Sequence, residues 1–297
     1  MKDGVIIVKK EENMSSFSVV SRIRHLFGVK KAGHTGTLDP LATGVLPVLL
    51  GRGVKASEYM LTSDKHYVAT LLLGITTDTE DITGNILAKS DTVPNEEEVF
   101  AAISSMVGVI LQTPPMYSAL KVGGQKLYEL ARRGEVIERE ARKVEIYKID
   151  ARKLNKLEYQ LDVHCSKGTY IRTLCADIGK ILGTGGVMKT LCRNEASGFT
   201  LKDAYTLSEL ESMSDEERWE KVLPVEHIFR SKKKITLSPF FSKLARAGQE
   251  IYLKKINISL NVGECVALFD EKGFFALGDV REFEDGLAIK PIKQFDI

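Results

Sequence analysis

Asp39 sits in a stretch, Gly33-His34-Thr35-Gly36-Thr37-Leu38-Asp39-Pro40-Leu41-Ala42-Thr43-Gly44, that holds one carboxylate, one imidazole and three glycines. A carboxylate can serve as a nucleophile or a general base. Gly33, Gly36 and Gly44 let the backbone take φ > 0 or approach another group closely. Pro40 fixes its own φ and pushes Asp39 out of the helical region. The stretch therefore reads as a shaped loop presenting an acid. It has no Lys-Ser/Thr to make a phosphate loop and no G-x-G-x-x-G. Two readings stay open from these residues: a reactive site, or a turn in which Asp39 caps the backbone ahead of Pro40.

The surrounding pattern supplies the elements that would hold such a loop. Val5–Val8 is a short apolar strand. Ser15 and Ser16 offer caps to a helix with Val19, Val20, Ile23, Leu26 and Phe27 on its apolar side, stopped at Gly28. Val45–Leu50 reads as a buried strand, and Pro47 within it predicts an edge or a bulge. Tyr67, Ala69, Leu71 and Leu73 alternate along another strand, so Tyr67 fits either a core position or a pocket wall. Asn95 and Glu98 form a capping box for a helix with Val99, Ala102, Ile103 and Met106 buried. Strands are expected at Val144–Ile149 and Tyr159–Cys165. Tyr170 opens a helix whose apolar face is Ile171, Leu174, Cys175, Ile178 and Ile181, with Gly183 as the stop. Arg172 falls on its first turn; a guanidinium is always charged and can grip a carboxylate with two bonds. After a helix at Asp215–Arg218, short strands alternate with turn glycines at Gly248, Gly263, Gly273, Gly278 and Gly286. The irregular mixture argues for α+β with a largely antiparallel sheet, not a doubly wound parallel one.

Composition narrows the class without naming a partner. Of 297 residues, 43% are hydrophobic and 28% charged, which suits a globular chain with a real core. Lys and Arg number 42 against 40 Asp and Glu, a net charge of only +2, so an argument for nucleic acid must rest on distribution. Three basic runs stand out: Arg22–Lys31, Lys121–Lys143 and Arg230–Lys234. Charge runs are usually solvated faces, and a phosphate footprint needs them on one side of the fold. The four cysteines are widely spaced, which argues against disulfides and metal knuckles. Neither a transmembrane run nor a signal-peptide pattern appears, so a cytoplasmic location is expected.

The Gly33–Gly44 stretch resembles the signature loop of the TruB family, the bacterial tRNA pseudouridine-55 synthases. Lys65-His66-Tyr67-Val68-Ala69 resembles the family's basic-x-Tyr strand. Thr77-Asp78-Thr79-Glu80-Asp81-Ile82-Thr83-Gly84 resembles its Thr-Asp-Thr-x-Asp-x-x-Gly segment. Ser166–Leu174 resembles its Gly-Thr-Tyr-Ile-Arg motif, and Pro114–Lys121 and Lys126–Arg132 also read as family segments. The likeness runs from Val5 to Arg193 in the family's order. One departure is Lys10-Glu11-Glu12-Asn13, where the family has Lys-Pro-x-Gly; Asn13 can still take the left-handed turn that glycine would.

The resemblance implies a pseudouridine synthase-like catalytic domain over residues 1–230 and a small C-terminal β-barrel, PUA-like and RNA-binding, over 231–297. It implies isomerisation of the T-loop uridine, position 55, of tRNA. Uracil leaves C1′, turns, and rejoins through C5, with no redox change, so no cofactor and no metal are expected. It makes Asp39 the catalytic carboxylate, Arg172 its ion-pair partner, and Tyr67 a stacking platform and proton-transfer group for the extruded base. Tyr170 would line the pocket, and His34, between Gly33 and Gly36, would fill the space the base leaves. Asp81 would accept from the base edge and Leu191 would pack in the pocket. The expected partner is the tRNA T stem-loop, met by a monomer. Two other classes compete: an RNA-binding tRNA-folding chaperone, separable by an Asp39→Asn comparison, and a metabolic enzyme using the glycine loop for a phosphate.

Overall fold

Ser15 caps α1 (Ser16–Leu26) by accepting from the Ser18 amide, and Gly28 ends it at φ +61°. The computed structural model describes residues 3–61 and 63–295. The chain runs β1 (Gly4–Lys10), α1, β2 (Ala32–His34), β3 (Thr43–Leu50), α2 (Ser57–Leu61) and β4 (Lys65–Leu73). The hairpin β5 (Ile75–Thr77) and β6 (Ile86–Lys89) follows, then α3 (Glu96–Ser104) and β7 (Gly108–Gln112). Next come the hairpin β8 (Lys121–Val122) and β9 (Gln125–Lys126), α4 (Leu127–Arg132), β10 (Arg142–Lys153) and β11 (Glu158–Cys165). After α5 (Ile171–Ile181) stand β12 (Gly186–Ala196) and β13 (Phe199–Thr200). The C-terminal part holds β14 (Lys233–Thr236), β15 (Ile251–Tyr252), β16 (Cys265–Asp270), β17 (Gly273–Phe283) and β18 (Gly286–Gln294).

The main sheet has the order β1-β3-β12-β4-β11-β10-β7, with β2 beside β3 and β13 beside β12. Every pairing in it is antiparallel except β3 with β12, which run parallel and meet only at Cys192–Thr43 and Arg193–Gly44. The expected mixed, largely antiparallel sheet is therefore present, as two antiparallel halves joined at one seam. The alternating β4 and β11 residues bury Tyr67, Ala69, Leu71, Leu73, Tyr159, Leu161 and Val163 against α3 and α5. Asn95 and Glu98 form the expected capping box on α3.

Three local expectations fail for identifiable reasons. Pro47 is on neither an edge nor a bulge: β3 pairs with β1 in unbroken register, and the Pro47 carbonyl faces β2, accepting from the Thr35 amide where that short strand ends. The ring therefore costs no ladder bond. Ile181 is 57% exposed, because α5 outruns the sheet there and Leu182 packs in its place. Gly278 lies inside β17 where Ile289 of β18 crosses it, and a Cβ would overlap that side chain. Asn13 takes the expected left-handed turn, at φ +65°.

The second sheet runs β14-β16-β17-β18-β15 around its own apolar cluster. β14 and β15 are not bonded to each other, so the expected small barrel is an open half-barrel. Phe229 meets Phe274 and Phe295 at ring centroids 5.5 and 5.4 Å apart and so welds this sheet to the main one. No helix among the described residues is long and apolar enough to cross a membrane.

The seam predicts a sharp mutational response. Gly44 sits at φ +106°, and a Cβ there would strike the Arg193 backbone. Gly44→Ala is expected to lose at least about 2 kcal/mol by urea unfolding, from backbone strain plus overlap that backbone cannot relieve. Gly28→Ala, with open space around its Cβ, should lose less.

Candidate active site

Asp39 is presented by a loop that other elements hold from three sides. Ser16 of α1 both accepts from the Leu38 amide at 2.8 Å and donates to the Leu38 carbonyl at 3.0 Å. Lys10 at the end of β1 is buried and donates to the Pro40 and Ala42 carbonyls. Arg193 of β12, also buried, donates to the Val45 carbonyl at 2.8 Å and the Gly36 carbonyl at 3.2 Å. Gly36 takes φ +119°, as the loop requires, whereas Gly33 keeps an ordinary strand conformation in β2 and needs no glycine freedom.

With its backbone held, the Asp39 side chain faces Arg172. Arg172 Nε lies 2.9 Å from Asp39 Oδ2, and its Nη2 donates to Oδ1 at 3.3 Å. The same guanidinium donates to the Thr79 carbonyl at 3.1 Å and the Tyr117 carbonyl at 2.8 Å. One buried fork thus ties two further loops to the carboxylate. The Asp39 carboxylate is committed to Arg172, which removes the turn-cap reading. Burial holds the Asp39 carboxyl above its ordinary value, with Asp81 adding to the shift and Arg172 and Lys10 opposing it.

Arg172 is itself aimed by its neighbours. Gln112, buried at the end of β7, accepts from the Tyr170 amide at 3.0 Å and donates to the Tyr170 carbonyl at 3.2 Å, fixing the start of α5. The Thr77–Gly84 segment closes on itself: Asp81 Oδ1 accepts from Thr79, from the Thr83 amide and from the Thr83 hydroxyl. A Cβ at Gly84 would overlap Thr79 and Asp78, so this loop closes only over glycine. Glu80 adopts φ +62°, and its carboxylate accepts from Thr173 of α5 at 2.6 Å.

These parts surround a cavity of about 850 Å³. Asp39, Tyr67, Tyr170, Arg172 and Leu191 all line it, so the structure brings these five together. His34 and Asp81 are not among its lining residues. Asp81 is buried beside Arg172, with Oδ2 4.0 Å from Nη1, so its carboxylate also faces the guanidinium that pairs with Asp39. His34 is half-buried at the end of β2, its Nδ1 buried without a partner, and burial with the nearby Arg193 holds the ring below its ordinary value. Burial pushes the Tyr67 hydroxyl up, partly offset by Arg193, which keeps it a proton donor at neutral pH.

The cavity's charge is one-sided. Asp39 is the one carboxylate among its described lining residues, against Lys65, Arg142, Lys143, Lys167, Arg172 and Arg193. Lys65 is lowered to about 8 by burial first and then by Arg193. The second basic run therefore does reach the site, through Arg142 and Lys143. Other members of the runs are spent elsewhere: Arg22 pairs with Glu211, and Arg230 donates to the Gly198 carbonyl. Lys10, Gln112 and Arg193 escape sequence reasoning. Each acts through contacts distant in the chain, and the signals were slight: Lys10 opens the N-terminal turn motif, and Arg193 stands two residues beyond Leu191. A group able to hold a metal, His66, Asp162 and His164, lies on the opposite face of the sheet.

Comparison with known proteins places this arrangement. Residues 24–171 match the model of the TruB family pseudouridylate synthase N-terminal domain, and 172–230 that of the tRNA pseudouridylate synthase B C-terminal domain. The chain is 43% identical over 281 residues to tRNA pseudouridine synthase B of Alkaliphilus oremlandii, covering 94% of this chain and 93% of that one. It is 38% identical to the protein of that name from Francisella tularensis subsp. novicida, covering 99% and 95%. Among solved structures, a Cbf5-Nop10-Gar1 complex aligns with TM-score 0.72 at 25% identity, covering 99% of this chain and 85% of that one. With its full span of matched sequence, the chain belongs to the TruB family of pseudouridylate synthases.

Proposed function

We propose that this pseudouridine synthase converts the T-loop uridine, position 55, of tRNA to pseudouridine, with Asp39 as the catalytic carboxylate. The observation that carries the reading is an Arg172-paired carboxylate, the one acid among the described residues of a cavity otherwise lined by six cations and by aromatic, aliphatic and neutral polar side chains. Such a cavity suits one reactive acid acting on a base whose flanking phosphates lie on the cationic rim. In the reaction the C1′–N1 bond breaks, the uracil turns, a C1′–C5 bond forms, and the C5 proton is exchanged for one on N1. Asp39, kept ionised by Arg172, supplies the negative charge that attacks or stabilises the separated sugar or base. The face of Tyr67 stacks on the extruded uracil, and its hydroxyl is placed to move the C5 proton. Tyr170 and Leu191 close the walls. His34 enters the stack that the base vacates.

The C-terminal half-barrel, residues 231–297, serves in this reading as a PUA-like RNA-binding domain beside a catalytic domain of residues 1–230. Lys232, Lys233 and Lys234 would face the tRNA. Every group in the proposed site comes from one chain, so a monomer suffices to bind the T stem-loop. No cofactor enters the scheme.

Incubation with an unmodified tRNA transcript, followed by pseudouridine mapping, is expected to place the product in the T loop at position 55. Asp39→Asn should abolish turnover while keeping tRNA affinity within a few-fold, because phosphate and shape contacts dominate binding. Near-normal turnover in that variant would remove Asp39 from its role. Because the folded Asp39 carboxyl sits above its ordinary value of 3.8, the native state binds this proton more tightly than the unfolded chain. Wild-type stability should thus fall relative to Asp39→Asn as pH rises from that value upward, read as the difference between the two melting temperatures across pH.

Arg172→Lys keeps the charge but loses the fork and its carbonyl contacts. It is expected to lower kcat/KM at least about tenfold, or about 1.4 kcal/mol. It should also move the acid limb of the pH profile upward, as Asp39 loses stabilisation of its ionised form. An unmoved limb would show that Arg172 does not govern Asp39.

Lys143→Ala with Lys167→Ala should reduce the salt slope of tRNA binding by about 2, with a single-turnover rate at saturating tRNA within about tenfold of wild type. An unchanged slope would place the tRNA backbone elsewhere.

A further inference from the structure

Two of the chain's five histidines face each other across the sheet, away from the cavity. His66 of β4 and His164 of β11 are direct register partners, and Asp162 stands two residues from His164 on the same strand face. Tyr67, next to His66, lines the cavity, so these three side chains occupy the reverse side of the same strands. His66 Nε2 lies 2.7 Å from Asp162 Oδ1, and His164 Nε2 lies 3.8 Å from the same oxygen. One donor atom from each of the three residues falls within 4.8 Å of the others.

We infer that His66, Asp162 and His164 form a binding site for a divalent transition cation of the zinc class. Two imidazoles and a carboxylate are a donor set that suits zinc, with water completing the shell. Ligand atoms about 2.0–2.1 Å from a tetrahedral ion are separated by about 3.3 Å. The two measured nitrogen–oxygen distances, 2.7 and 3.8 Å, bracket that value. Adjustments of about half an ångström in opposite senses bring both nitrogens to that spacing from the oxygen.

The placement of the two rings shows what must move. The two rings stack at a centroid distance of 4.0 Å and an angle of 12°. Parallel rings direct their in-plane lone pairs side by side, so one ring must turn for both to reach the same ion. His164 is 46% exposed and can turn; His66, at 19%, is the better fixed. β4 and β11 are both interior strands, paired along each side, so the backbone spacing is set before the ion arrives. Lys148 of β10 is the register neighbour of His164, but its ammonium is paired with Asp150 at 2.5 Å. Glu195 of β12 is the register neighbour of His66 on the other side. Its carboxylate adds negative charge to the same row. The bound ion would staple β4 to β11 directly behind Tyr67.

The test is calorimetric titration of Zn²⁺ alone into the full-length, untagged protein at pH 7.5, in a buffer that does not chelate. One equivalent should bind with micromolar affinity. Asp162→Asn and His164→Gln, both on the solvated face, should each weaken that binding at least tenfold, while His25→Gln on α1 should not. Zn²⁺ should raise the melting temperature of wild type more than that of either variant, since a ligand bound only to the native state stabilises it. Absence of a saturable site in the wild-type protein would overturn the inference. So would equal affinity in wild type and both site variants.

Discussion

The parallel contact between β3 and β12 is the constraint on which the rest depends. Two antiparallel half-sheets meet there over just two residue pairs, and they meet so closely at Gly44 that no side chain fits against the Arg193 backbone. The same approach delivers the Arg193 guanidinium under the loop, where it takes the Val45 and Gly36 carbonyls. Asp39 lies five residues before this glycine. Tyr67, the register partner of Arg193 on the other side of β12, is brought to the same place by the same strand. The acid, the aromatic wall and the cation between them are thus positioned by backbone geometry, not by a search among rotamers. A site that must meet a reacting sugar within fractions of an ångström gains from being built at a junction that tolerates one spacing only.

Electrostatics explains why so many cations surround one acid. Removing a carboxylate from water raises its proton affinity, and Asp39 is shifted in that direction despite Arg172 and Lys10. A second carboxylate, Asp81, sits 4.0 Å from the same guanidinium and works against ionisation of Asp39. It also closes the Thr77–Gly84 loop whose Thr79 carbonyl anchors Arg172. The loop's need for Asp81 and the ionisation of Asp39 conflict, and the Arg172 guanidinium, which pairs with Asp39 and bonds the Thr79 carbonyl, reconciles them. Whole-chain charge conceals this arrangement. A net +2 is compatible with a cavity holding six cations and one acid, because acidic residues are spent on helix caps and surface pairs elsewhere.

What the sequence disclosed follows from the range of the interactions involved. Alternation in β4, the capping box on α3 and the left-handed turn at Asn13 are decided within a few residues, and all are found. The motif residues Asp39, Tyr67, Tyr170, Arg172 and Leu191 converge on one cavity. The clamps did not declare themselves. Lys10, Ser16 and Gln112 look like ordinary polar residues near element ends, and become informative only when Pro40, Leu38 and Tyr170 are brought beside them from 22 to 58 positions away. Asp81 shows a part that its motif did not declare: its Oδ1 hydrogen bonds are local and close the Thr77–Gly84 loop. Pro47 and Gly278 mislead because propensity rules describe isolated strands. A neighbour that ends early spares Pro47 its missing donor, and a crossing Ile289 gives Gly278 a reason to be small.

The aromatic weld between the two sheets bears on how the C-terminal part can contribute. Phe229, Phe274 and Phe295 form one cluster with Ala56 and Tyr59 of the main body. Lys55 and Glu58, from the segment leading into and forming α2, also reach the Gln294 carbonyl and Lys293 of β18. A β-module on a flexible tether adds effective concentration alone. One seated on a dry aromatic contact adds direction as well, because its surface keeps a fixed bearing to the cavity. Removing it would also bare the Phe229 face, so deletion would mix loss of binding surface with damage to the body. Charge substitutions that leave the weld intact separate these two effects. The C-terminal half-barrel is accordingly part of the scaffold in its packing, whatever its surface touches.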